Sequence, residues 1–254
     1  MMTTAVTTET STHPRVARAL TPAEAALVCL TEYRRTVDLL TELEPADWEQ
    51  PTDCTRWTVR DIVGHLAGAA CNTGLTTMVP LALRGLRARR VQRLPELVDG
   101  MNEVQIRHHA NDTRVQLVET LRSAAPRQAE LRRHPHWYGR LMRFISSGQM
   151  ISMRDLYVRI LNRDLWIHRI DICRATGKEI QLTADHDARV VEDVVAAWAA
   201  RHRKPFTLRL HGAAGGTYAR GVNGESLQLD AVDFCRIVSG RDWGAGLLGT
   251  AVIF

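Results

Sequence analysis

From Thr21 to Leu43 apolar residues recur at helical intervals, with Val28, Val37, Leu40 and Leu43 on one side, and Thr21, Pro22 and Glu24 ahead of them supply the chemistry of a helix start. The next stretch, TVRDIVGHLAGAA, sets Thr58 three residues before Asp61, the spacing of a capping box. It then places Val59, Ile62, Val63, Leu66, Ala67 and Ala70 on one stripe. A third helical region is predicted from about Pro95 to Ala125, with a break near Asn111, because Asp112 to Arg114 resembles a fresh N-terminus before VQLVETL. A fourth runs from about Ser152 to Ala175 and is stopped by Gly177. The stretches Arg84 to Arg93 and Pro126 to Gly148 read as the longer loops. Amphipathic segments joined in this way predict an up-and-down four-helix bundle.

After Gly177 the pattern changes. Thr183 begins a helix predicted to reach His202, FTLRLHG and GTYARGV have the look of short strands parted by Gly215 and Gly216, and Asp230 to Ser239 reads as helical. The closing LLGTAVIF is a further strand candidate. This order predicts an α+β protein: a loose Thr-rich tail over residues 1–19, a helical bundle over 20–177 and a small α/β domain over 178–254.

Composition narrows the class without naming it. Of 254 residues 45% are hydrophobic and 24% charged, which fits a folded globular chain. No run reaches the roughly 18 apolar residues that a membrane helix needs, since Arg84, Arg87, Arg89 and Arg90 interrupt the best candidate near Leu75 to Leu86. The N-terminal segment has neither the basic region nor the apolar core of a secretory signal, so a cytoplasmic protein with no membrane partner is expected. Cys29, Cys54, Cys71, Cys173 and Cys235 form no CxxC pair, and their odd number suits free thiols in a reducing compartment. A net charge of +5 is too mild an excess to identify a nucleic-acid binder.

Chemistry concentrates on two segments. Asp164 and His168 lie four residues apart in RDLWIHRIDI, so they emerge one turn apart on a face shared with Leu161, Leu165 and Ile172. A carboxylate and an imidazole directed at apolar surroundings need partners. His65 stands at the edge of the apolar stripe of the second helix and can face the same interior. Two histidines and a carboxylate with an open fourth position describe a catalytic divalent metal site, zinc above all. By spacing alone a hydrogen-bonded core histidine and an ordinary surface pair are the commoner readings of these residues.

PTDCTRWTVRDIVGHLAG, followed about a hundred residues later by RDLWIHRIDICRATG, resembles the paired signatures of the mycothiol-dependent maleylpyruvate isomerase family. The C-terminal RLHG, VNGES and IVSGR resemble, in order, parts of that family's small sterol-carrier-like domain, so the resemblance runs over about residues 20–241. It implies a DinB-like four-helix bundle followed by that domain, with a metal held by His65, Asp164 and His168 at the bundle end. The isomerase itself has glutamate where this chain has the shorter Asp164. The resemblance further implies mycothiol as a low-molecular-weight thiol cofactor, activated as thiolate for cis-trans isomerisation of, or transfer to, a small electrophile.

A carboxylate-bearing electrophile calls for an arginine fork. RGLRARRVQR, with Arg90, and Arg241 after the second domain's last helix are the candidates, joined by Asn102 in DGMNEV as a polar position of the third helix facing the site. Cys54 and Cys173 read as packing residues, and Trp57 and Trp166 as walls of the bundle core. His108, His109, His134 and His136 read as surface or loop residues. The rival reading from another class is a non-catalytic metal-binding module whose basic RGLRARRVQR loop contacts an acidic partner or nucleic acid.

Overall fold

The computed structural model describes residues 14–254, which divide into two compact units, one of residues 20–180 with Ile253–Phe254 and one of residues 14–19 with 181–252. The first is helical. Its elements are α1 (Pro22–Thr41), α2 (Val59–Cys71), α3 (Leu75–Gln92), α4 (Leu97–His108), α5 (Arg114–Arg133), the hairpin β1 (Arg143–Ser146) and β2 (Gln149–Ser152), the short α6 (Met153–Asp155), a π-helical turn (Leu156–Ile160) and α7 (Leu161–Thr176).

Helices α1, α2, α5 and α7 pack around one core. Every apolar residue assigned above to the α2 stripe is buried, as are Val28, Val37, Leu40 and Leu43. The starts form as the sequence dictates: Thr21 with Glu24, and Thr58 with Asp61, close reciprocal capping boxes, and Gly177 ends α7 in the left-handed conformation at φ 67. Across the core, Arg169 of α7 makes a two-pronged ion pair with Glu32 of α1, at 2.8 and 3.1 Å, with both side chains buried.

The predicted third helical region is two helices, parted at residues 109–113 where a fresh N-terminus was expected. Two expected loops prove helical. Arg84–Arg93 lies mostly in α3, and α3 meets α4 through glycine: a Cβ on Gly100 would stand 2.1 Å from the carbonyl oxygen of Gly85. A contact made by the lack of side chains leaves no apolar periodicity to read. Pro126 lies inside α5, which runs on to Arg133 and buries Gln128, Ala129, Leu131 and Arg132. The proline removes one helical N–H, but packing of α5 on α1 carries the helix through. The rest of that stretch holds the unforeseen β1–β2 hairpin, turned by Ser147 and Gly148, both at positive φ, as a tight two-residue hairpin requires.

The second unit contains α8 (Asp187–His202), a sheet of β3 (Phe206–His211), β4 (Gly216–Arg220) and β5 (Glu225–Asp230), and α9 (Ala231–Val238). Strand order is β4-β3-β5, with β3 antiparallel to β4 and parallel to β5. Phe206, Leu208 and Leu210 of β3 are buried and their neighbours are exposed. Trp198 of α8 packs edge-on against Phe206 and Phe234 and donates its indole N–H to the Leu247 carbonyl at 2.9 Å. Helix α8 begins four residues later than expected, because the Asp187 carboxylate accepts the Thr183 backbone N–H at 2.6 Å ahead of it. LLGTAVIF is not a strand: Gly246–Gly249 forms a 3-10 turn, and beyond it the Val252 N–H bonds the carbonyl of Val238, the last residue of α9. Strand β5, absent from the expectations, has the weak pattern of a largely exposed edge. Most of the expected tail, residues 1–13, lies outside the described residues. Residues 14–19 are not loose, since Arg15 exchanges backbone hydrogen bonds with Thr217 and Ala219 beside β4.

Candidate metal centre

Helix α2 carries His65 on the face it buries, and α7 carries Asp164 and His168 one turn apart on the face it turns toward α2. The three side chains meet. His65 Nε2 lies 3.2 Å from Asp164 Oδ2 and His168 Nε2 lies 3.4 Å from Asp164 Oδ1, so the two imidazoles flank a single carboxylate. The rings stand edge to face at 5.4 Å.

Each ring is held from behind. His65 Nδ1 donates to Gln105 Oε1 of α4 at 2.9 Å, and His168 Nδ1 donates to Asp171 Oδ2 at 2.9 Å, where Asp171 is fully buried one turn further along α7. The Cys54 thiol donates to the same Asp171 oxygen at 3.7 Å. Trp57 covers both imidazoles, 5.2 Å from His65 and 5.8 Å from His168.

Both histidines are buried, whereas the Asp164 side chain keeps 15% of its surface exposed. Burial works against ionisation of Asp164, but the adjacent imidazoles overcome it and hold its carboxyl far below the usual range. Burial likewise works against a charge on His168, and Asp164 and Asp171 outweigh it, so this histidine keeps its proton well above the ordinary value.

The donor set suits a divalent cation. Two donors about 2.1 Å from a tetrahedral ion lie roughly 3.4 Å apart, close to the separations found between Asp164 and each histidine. A histidine tied from behind to a buried carboxylate is the usual arrangement of a ligating imidazole. Cys54, His168 and Asp171 form a second, overlapping group of possible donors, but Asp171 is engaged at Nδ1 of His168 and so acts behind the first set.

A small cleft opens beside Asp164, lined by Tyr33, Leu66, Gln128, Arg132 and Leu165 among others. Arg132 is almost wholly buried, its guanidinium bonded to Asn162 Oδ1 at 2.8 Å and to Gln128 Oε1 at 2.7 Å. Arg90 instead lies exposed near the end of α3, and Arg241 belongs to the other unit, where its N–H closes a turn onto the Arg236 carbonyl. Asn102 is half-buried on α4, and it is Gln105, three residues on, that reaches His65.

Asp171 was legible in principle, standing three residues after His168 on the same helical face. Gln105 and Arg132 had no local signal, because α4 and the second half of α5 reach the site only through the fold. Trp57 walls the site itself, while Trp166 is core. Cys54 does more than fill space, since it bonds the carboxylate that orients His168.

The chain is similar to two crystal structures, that of mycothiol-dependent maleylpyruvate isomerase and that of a histidine-to-alanine mutant of it. Identities are 14% and 13%, TM-scores are 0.53, and each match covers 88% of this chain and 90% of the other. At such identity the likeness is one of fold, and it supports the α+β architecture of a helical bundle followed by a small mixed unit. No curated protein matches. A family model, the mycothiol maleylpyruvate isomerase N-terminal domain, matches residues 29–173, from within α1 into α7, with His65, Asp164 and His168 between its limits. Since that match takes in more than half of the sequence, the chain belongs to the mycothiol maleylpyruvate isomerase family.

Proposed function

We propose that the protein is a metal- and mycothiol-dependent enzyme of the maleylpyruvate isomerase type, with His65, Asp164 and His168 as the ligands of one divalent ion, zinc being the ion that these donors suit. The observation that carries the reading is the convergence of two Nε2 atoms on one partly exposed carboxylate, with both Nδ1 atoms already committed to Gln105 and Asp171. When bound, such an ion lowers the pKa of a thiol and holds it as thiolate, the form that attacks electrophilic carbon.

The chain's own groups do the rest. Gln105 and Asp171 fix each ring so that Nε2 faces the Asp164 carboxylate, and Trp57 shields the imidazoles from water. Arg132, held rigid by Gln128 and Asn162, sets a positive charge beside Asp164 whose field would attract an anionic electrophile toward this end of the bundle. The shorter Asp164 leaves more room on that side than a glutamate would. Addition of the thiolate to a cis double bond, rotation and elimination would give the trans isomer; transfer of the thiol to another electrophile would use the same activated sulfur.

The division of labour follows the chain: residues 20–177 form the metal-binding bundle and residues 178–254 the small appended domain. Among the described residues no helix is long and apolar enough to cross a membrane, and all five cysteines are free thiols, in keeping with a place in the cytoplasm.

The test is elemental analysis of the purified protein and of His65→Ala, Asp164→Ala and His168→Ala, paired with mycothiol-dependent turnover of maleylpyruvate. Stoichiometric divalent metal in the parent, lost with turnover in the histidine variants, is the expected result. Unchanged metal content in His168→Ala would overturn the assignment.

A further inference from the structure

Beyond Gln105, the last turn of α2, the first half of α3 and the end of α4 line a larger, open cavity of about 250 Å3, whose wall includes Cys71, Arg84, His108 and His109. Cys71 closes α2 and is exposed, unlike the buried Cys29, Cys173 and Cys235. His109, at the C-terminal cap of α4, is 93% buried, and its Nδ1 donates to Asp112 Oδ2 at 2.7 Å. Its other nitrogen, Nε2, is buried without a hydrogen bond of ordinary geometry among the described residues. An imidazole nitrogen that no described group other than the nearby thiol engages, in the wall of a cavity that holds that exposed thiol, is placed to accept its proton.

We propose that Cys71, His109 and Asp112 form a second reactive centre, in which the Cys71 thiol attacks a small carboxylate-bearing electrophile that enters this cavity. The thiol proton passes to His109 Nε2, sulfur bonds the electrophilic carbon, and the displaced group leaves with the bonding pair. Asp112 holds the ring in the tautomer that leaves Nε2 free to accept, the role of a carboxylate behind a catalytic imidazole. Arg84, a cationic side chain on the cavity wall, favours an anionic reagent. It also opposes the α2 dipole, whose negative end lies at Cys71 and on its own would disfavour a thiolate. Consistent with this pairing, the Cys71 thiol is the largest influence raising the proton affinity of His109, with Asp112 adding to it against the cost of burial.

The experiment is alkylation of the full-length protein with iodoacetate and with iodoacetamide, followed cysteine by cysteine by peptide mass spectrometry. Cys71 should react first, and relative to a free thiol it should favour iodoacetate over iodoacetamide. His109→Gln should slow it about tenfold at neutral pH, as expected when a thiolate loses its paired base. Arg84→Gln, at an exposed position, should reduce the preference for iodoacetate, and Cys71→Ser should leave metal content unchanged. If His109→Gln does not fold, the parent decides: Cys71 reacting with iodoacetate faster than glutathione does at neutral pH supports the centre, and a rate equal to or below that of glutathione overturns it. Equal rates in parent and folded His109→Gln would overturn it as well.

Discussion

Asp171 accepts the Nδ1 proton of His168 from one turn further along the same helix, at 2.9 Å and out of reach of solvent. This contact fixes which nitrogen faces Asp164 and keeps the ring from turning. Asp171→Asn should therefore weaken divalent metal binding by about 10- to 100-fold while leaving every first ligand in place. Competition with a metallochromic chelator reads that change directly.

Gly68 lies one turn beyond His65 on α2, where α4 passes so close that a Cβ would stand 2.5 Å from Gln105 Cβ. Gly68→Ala should push α4 outward, cost about 1–3 kcal/mol by overpacking and loosen the Gln105 hold on His65. Urea denaturation and metal titration of the same variant should move together. A stability loss with unchanged metal affinity would show that Gln105 does not position the ring.

The Glu32–Arg169 pair joins α1 to α7 with both charges out of water. Glu32→Ala leaves a buried guanidinium with a lost carboxylate and should destabilise the bundle by about 3–5 kcal/mol. Because Arg169 is the residue after His168, metal affinity should fall with it. Denaturant midpoints with and without chelator separate the two effects.

In the second unit His202 rests against Trp198 and Phe206, with ring centroids at 4.3 and 5.5 Å. Burial, followed by the nearby Arg220 and Lys204 charges, lowers its proton affinity below the ordinary histidine value. The sign follows from linkage: the unfolded chain binds the proton more readily, so the contribution is present above the unfolded value near 6.5 and is lost as pH falls through the lower folded value. Melting temperature should therefore drop as pH falls below about 6.5, and His202→Phe should flatten part of that drop.

Much of the bundle was legible because its helices announce themselves locally. The capping boxes at Thr21 and Thr58, the α2 stripe and the Gly177 stop are each written in adjacent residues. What hid α3 and the end of α5 was chemistry without local contrast: an arginine-rich helix seated through Gly85 and Gly100, and a helix that continues past Pro126 because α1 supports it.

By itself the amino-acid order determined that Asp164 and His168 share a helical face and that His65 borders another, since helical periodicity places residues four apart together. Only the tertiary structure decided that these faces meet, that Gln105 and Asp171 stand behind the rings, and that Arg132 rather than Arg90 shares the cleft with Asp164. The same holds for Cys71 and His109, which read as unrelated positions until α2 and α4 bring them to one cavity. The physical reason is range: propensity, capping and amphipathic spacing act within a few turns of chain, whereas a site assembled across helices depends on packing between segments tens of residues apart.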